Sequence, residues 1–194
     1  MKLNSLIFQH EKWLKNDKIG KKIDLELVTF KAEKVQNSSL EGAIFDHITF
    51  HEIEFLHCDF TASSFFNCKF INCKLLYCNF HKTEFHDFWF EQVEITGCDF
   101  TKTEWCYGNF KQAKFMECNL GWSYFQSVDL RYGQFNHIDF EGAIWDKTKV
   151  YGASFKAINL GYLYPTKIQK TDISLAGDGT KEISLQQFRK IFEI

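Results

Sequence analysis

From Leu25 to Leu160 every fifth residue is large and apolar: seventeen Phe, six Leu, two Trp, two Val and one Ile fill twenty-eight sites without a break in register. Two residues before these centres the chain favours small or apolar residues, among them Ala43, Ser63, Cys68, Cys73, Cys78, Thr83, Ala113, Ser123, Gly133, Ala143 and Ala153. A helix repeats at about 3.6 residues and a strand at about 2, so a period of five excludes a simple amphipathic element of either kind. A coil of short extended segments remains, in which each turn buries little by itself and gains a core by stacking on its neighbours.

The segments Ala43-Ile44-Phe45-Asp46-His47, Cys58-Asp59-Phe60-Thr61-Ala62 and Ala153-Ser154-Phe155-Lys156-Ala157 resemble the pentapeptide-repeat family, whose unit is Ala, then Asp or Asn, then Leu or Phe, then two variable residues. The resemblance implies an all-β solenoid, a right-handed quadrilateral β-helix with four pentapeptides per coil. The central and preceding small residues point inward and the other three outward. Twenty-eight pentapeptides then make seven coils, a rod about 34 Å long at roughly 4.8 Å per rung.

Open solenoid ends need caps, and both ends of the sequence offer one. Ser5 can N-cap a helix carrying Leu6, Ile7, His10, Trp13 and Leu14 and ending near Gly20. Pro165, the single proline, marks the stop of the coils, and Ser184-Leu185-Gln186-Gln187 opens a short helix with Leu185, Phe188, Ile191 and Phe192 apolar. The chain therefore divides into a capping helix over 1–20, a β-helix over 21–162 and a C-terminal cap over 163–194.

Within that frame, residues twenty apart stack in columns. Cys58, Cys78, Cys98 and Cys118 form one inward ladder, with Cys68 and Cys73 on neighbouring faces. Single-file ligands cannot surround a tetrahedral ion, so the ladder reads as packing and no metal is expected. Cys106 falls at an outward position and is expected to be the most reactive thiol. The outward column Lys34, Glu54, Lys74, Glu94, Lys114 alternates in sign, as a cross-strand ladder should.

The net charge of −2 hides an uneven surface. The face centred on Leu25, Phe45, Phe65, Phe85, Trp105, Phe125 and Trp145 carries Asp24, Glu26, Asp46, Glu84, Asp87, Glu104 and Asp146 against Lys147, a net of −6. The adjoining face, centred on Leu40 to Leu160, adds −3, and the other two sum to +3. Outward apolar residues, namely Leu56, Leu76 and Met116 in one column with Phe66, Ile71, Trp89 and Trp122 elsewhere, offer a second kind of contact surface.

Catalytic chemistry finds no footing. Gly177-Asp178-Gly179-Thr180-Lys181 lacks phosphate-loop spacing, His57 and Cys58 point opposite ways, and no cofactor motif is present. The N-terminal apolar run is too short for a signal peptide or membrane span, so a cytoplasmic, non-enzymatic protein with no membrane or direct nucleic-acid contact is expected.

The tail, Leu163-Tyr164-Pro165-Thr166-Lys167-Ile168, then Ile173, then Gln186-Gln187, is similar to the C-terminus of Qnr-type quinolone-resistance proteins. Tyr164 stands where those proteins have an acidic residue, and the linker through Gly177-Asp178-Gly179 is longer. The resemblance implies a homodimer joined end to end, and the apolar or amphipathic Tyr162, Tyr164, Phe188, Ile191 and Phe192, crowded at that end, are expected at the joint. It also implies a duplex-DNA-like rod that binds a type II topoisomerase, DNA gyrase or topoisomerase IV. The alternative is a scaffold for some other protein.

Overall fold

The computed structural model describes residues 2–150, 152–156 and 158–159, together with the backbone of the strand Tyr164–Lys167. It is a parallel, four-sided β-solenoid of about seven coils, preceded by one α-helix, Leu3–Leu14. Three-residue strands stack in register at intervals of twenty: Leu25 on Phe45, Phe50 on Phe70, Phe55 on Leu75. The first face, from Asp24–Glu26 to Tyr164–Lys167, stacks eight strands, and the third, from Lys34–Gln36 to Ser154–Lys156, stacks seven.

The fifth-residue centres form the core. Phe45, Phe65 and Phe85 are fully buried and stack with centroids 4.9 and 4.7 Å apart, and Phe85 lies on Trp105 at 4.2 Å. Phe60, Phe80 and Phe100 repeat this on the fourth face at 4.6 and 4.7 Å. Offset stacks of this kind add roughly 0.5–1.5 kcal/mol each beyond area burial.

Each coil must also turn four corners, and it does so with a left-handed residue two places after each centre. Among the described residues all the non-glycine residues of positive φ except Asn16 fall in this position, Leu27, His57, Tyr77 and Trp122 among them. The rings of Tyr77, Trp122 and Tyr132 lie against Gly97, Gly142 and Gly152 one coil later, where a Cβ would otherwise stand. These exposed aromatics therefore also shield their neighbours' backbone.

The second and fourth faces differ from the others in a way that period alone does not disclose. On the fourth face the residue before each centre is Ser39, Asp59, Asn79, Asp99, Asn119, Asp139 or Asn159, and it makes a single bridge in place of a strand. The side-chain oxygens of Asp59, Asn79 and Asp99 accept the N–H two residues on at 2.9–3.0 Å, an Asx turn. The second face forms strands as far as Trp89–Glu91 and then adopts the same turn at Asn109 and Asp129. Asp and Asn alternate up the fourth face, so no two of its carboxylates are stacked.

The helix is capped from a distance. Ser5 lies inside it, and the acceptor for its first N–H groups is the Glu33 carboxylate, 3.0 Å from Leu3 N and 3.4 Å from Asn4 N. A carboxylate there satisfies orphan donors and complements the helix dipole. Leu3 and Ile7 join Ile23 in the core cluster, so the helix covers the first coil. Of the C-terminal cap only the backbone of Tyr164–Lys167 is described, and it continues the first-face ladder, so the coils do not stop at Pro165. Among the described residues no helix is long and apolar enough to cross a membrane.

Candidate protein-binding surface

The acidic residues of the first face are positioned by its strand ladder. Glu26 pairs in register with Asp46, and Glu84 with Glu104. Ser64 and Phe66 separate these two groups, and Tyr124 and Gln126 separate the second from Asp146. The face is thus two acidic clusters, Asp24–Glu26–Asp46 and Glu84–Asp87–Glu104, with Asp146 beyond. Asp24, Glu26, Glu84, Asp87 and Glu104 are exposed, while Asp46 and Asp146 are half-buried.

Two ladders show how differently charge is arranged. On the third face Lys34 meets Glu54 at 2.6 Å and Lys74 meets Glu94 at 3.4 Å, exposed pairs contributing at most about 1 kcal/mol each. On the first face the stacked pairs carry like charge, which disfavours folding. Their field reaches the neighbouring groups: burial first, then Glu104, Asp87 and Glu84, push the Cys106 thiol up to about 11. Burial and then Asp146 raise the Tyr124 phenol. Asp46 is held below the usual carboxylate range by the Asn67 amide at 3.1 Å, with burial opposing and His47 assisting.

The fourth-face carboxylates are committed elsewhere. Asp59, Asp99 and Asp139 each hold a turn N–H, so they belong to the fold. Glu26, Asp46 and His47 could bring three ligand atoms within 4.8 Å of one another. However, Asp46 already takes His47 Nδ1 at 2.8 Å and the Asn67 amide, and this partly exposed group is not read as a metal site.

All seven cysteines are free and buried. Each inward thiol donates to a carbonyl one coil back, as Cys58 does to Val35 and Cys73 to Phe50, at 3.5 and 3.3 Å. Thr83 and Thr103 use the same acceptor geometry at 2.8 Å. Hydrogen bonding along the ladder pushes Cys58 up and Cys78 down, and burial first, then Cys118 and Cys78, pushes Cys98 up. No cation is among the causes; Cys118 is also pushed down by its hydrogen bond with Cys98, while burial disfavours the thiolate at every rung of the column. Cys106 departs from the sequence expectation. It is on the outer side of its strand yet only 4% exposed, a short side chain between His86 and Gln126.

His57 is exposed with its ring on Tyr77, whereas Cys58 is buried, so the two do not form a dyad. The described surface has open depressions over Glu94, Lys114 and Lys156 on the third face and beside Lys2 and Glu33, and neither is lined by cysteine or histidine. Of the residues assigned to a dimer joint, Tyr162, Phe188, Ile191 and Phe192 and the Tyr164 side chain lie outside the described residues.

Residues 63–145 match a family model described as a pentapeptide repeat region. No curated protein matches the sequence. Among solved structures the chain is similar to full-length QnrB1, a plasmid-mediated fluoroquinolone resistance protein, at 15% identity and a TM-score of 0.36, over 86% of this chain and 98% of that one. It is also similar to HetL, a pentapeptide repeat protein involved in heterocyst differentiation regulation from the cyanobacterium Nostoc sp. strain PCC 7120, at 9% identity and 0.31, over 89% and 97%. A third is the pentapeptide repeat protein Rfr23 from the cyanobacterium Cyanothece 51142, at 6% identity and 0.23, over 77% and 90%. The matched stretch lies inside one ladder whose five-residue register runs on through the coils before and after it, and over that stretch the chain is similar to the pentapeptide-repeat family.

Proposed function

We propose that this chain is a non-enzymatic interaction protein whose acidic first face docks in the DNA-binding groove of a type II topoisomerase, DNA gyrase or topoisomerase IV, as a mimic of duplex DNA. The observation that carries the reading is the stacking of like charge, Glu26 on Asp46 and Glu84 on Glu104, against the alternation on the third face. A ladder that disfavours its own register is better accounted for by a cationic partner than by the fold. The resemblance of the tail to Qnr-type proteins singles out the topoisomerase and a role in quinolone resistance.

Charge alone makes a partial mimic, because duplex DNA carries one charge per ~1.7 Å, about 20 over a rod of this length. The first face carries a net −6. In this reading the shape of the rod has to supply the rest.

The test is DNA supercoiling by gyrase with and without ciprofloxacin in the presence of this protein. Inhibition of supercoiling, or its rescue from the drug, is expected. Asp46→Lys, Glu84→Lys and Glu104→Lys together should abolish either effect. If gyrase is unaffected by the unaltered chain, the second reading stands, a scaffold for another protein that uses the exposed Trp89, Tyr107, Met116 and Trp122.

A further inference from the structure

The N-terminal lid has a composition opposite to that of the rod it covers. Residues 1–22 contain six lysines against Glu11 and Asp17, a net of +4 in a chain of net −2. Both acids are committed to structure. Glu11 Oε1 accepts the Ser39 N–H at 3.0 Å, and Asp17 Oδ1 accepts the Ile19 N–H at 3.0 Å. None of the six lysines takes part in the ion pairs found among the described residues. The same segment exposes Phe8, Trp13 and Ile19 at 57, 39 and 63%, although its inner face already buries Leu3, Ile7 and His10.

Two of the lysines lie over these rings. Lys12 Nζ is 4.5 Å from the centre of the Phe8 ring and Lys22 Nζ 5.6 Å from that of Trp13. The returning chain lies alongside the helix, with Lys21 N donating to Gln9 O at 3.0 Å. Gly20 is so close that a Cβ there would fall 2.1 Å from Trp13 N. Lysines interleaved with outward apolar and aromatic groups suit the boundary of an anionic bilayer, where ammonium groups meet lipid phosphates and rings enter the headgroup layer. A duplex would use the lysines and leave Phe8 and Ile19 without a role.

We propose that this lid is a peripheral docking surface for anionic phospholipid membranes, holding the rod by its N-terminal end with the acidic face free at the side. The proposal is independent of the topoisomerase reading and departs from the expectation of no membrane contact, which rested on the absence of a signal peptide or membrane span in the N-terminal apolar run and did not weigh the charge of the lid.

The test is co-sedimentation of the full-length protein with phosphatidylcholine vesicles containing phosphatidylserine at about one third of the lipid, against phosphatidylcholine alone. Binding only to the anionic vesicles, lost in high salt, is expected. Lys15→Glu with Lys18→Glu should lower the partition coefficient at least about fivefold for each lysine. Phe8→Ser with Ile19→Ser should weaken binding at unchanged charge, while Lys111→Glu with Lys149→Glu, far along the rod, should leave it intact. Circular dichroism confirms that each variant is folded. Equal binding to both vesicle types, or equal loss in the distant pair, would overturn the proposal. So would retention by duplex DNA without retention by vesicles, which would make the lid a nucleic-acid contact.

Discussion

Gly108 and Phe88 meet across one coil step inside the second face. Other coils there place Val28, Ile48, Cys68 or Val128 at the equivalent site. Phe88 is fully buried, and a Cβ at residue 108 would stand 2.0 Å from its ring, so the large side chain fits because the next coil gives up its own. Overpacking a rigid core costs roughly 1–3 kcal/mol, which is the loss expected in denaturant unfolding for Gly108→Ala. Combining it with Phe88→Val should recover at least about 1 kcal/mol relative to the sum of the two single changes. Strict additivity would mean the two sites do not share that space. Cys106 makes a second residue-scale case. Fivefold periodicity gives its direction, outward, but carries no information about how far His86 and Gln126 close over a short side chain. Burial and the carboxylates of Glu104, Asp87 and Glu84 disfavour its thiolate. In timed alkylation it should therefore react little faster than Cys58 or Cys98 until the protein unfolds, and rapid single labelling at Cys106 would contradict its burial.

The coils were legible as elements because one period governs their core, and the turns within them were less so. The Asp or Asn before every fourth-face centre after Leu40 is visible in the sequence, yet its meaning depends on knowing which of four faces it occupies. The lid was legible as a helix from Leu6, Ile7 and His10, but its N-terminal acceptor, Glu33, is 30 residues away from Leu3 and no local pattern points to it. His10 latches the lid to the rod. Its Nδ1 accepts the Ile23 N–H and its Nε2 donates to the Glu41 carbonyl, both at 3.0 Å, which requires the neutral ring. Burial lowers its pKa below 6.5, with the Glu41 carbonyl opposing, Lys22 adding and Glu11 opposing. Because the folded pKa lies below the unfolded one, the latch is fully present above about pH 6.5 and is lost as pH falls from there toward the folded value. Thermal unfolding should show the difference in midpoint between the unaltered chain and His10→Gln shrinking over that interval. A difference independent of pH would remove the ring's protonation from the account.

At the scale of the whole molecule, length decides what the acidic face can do. Seven coils span about 34 Å, roughly one turn of duplex. A topoisomerase groove that engages a longer segment would need two rods in line, and the first-face ladder already continues into the tail, where Tyr164–Lys167 pairs with Ile144–Asp146. Tyr162, Tyr164, Phe188, Ile191 and Phe192 crowd apolar and amphipathic groups at that end of the sequence, more than a lid needs. The expectation is a two-fold dimer through residues 161–194 that aligns the acidic faces of both copies along one rod. Light scattering should give twice the chain mass of 22.9 kDa, and deleting residues 184–194 should give the monomer. A full-length chain that is monomeric at micromolar concentration would leave one short acidic face, too little to imitate a duplex, and the scaffold reading would take its place. A dimer whose effect on gyrase survives Asp46→Lys, Glu84→Lys and Glu104→Lys would keep the joint and remove the electrostatic mechanism. The two failures separate because joint and acidic face lie on different parts of the chain: the deletion leaves every first-face carboxylate in place, and the charge reversals leave the tail intact.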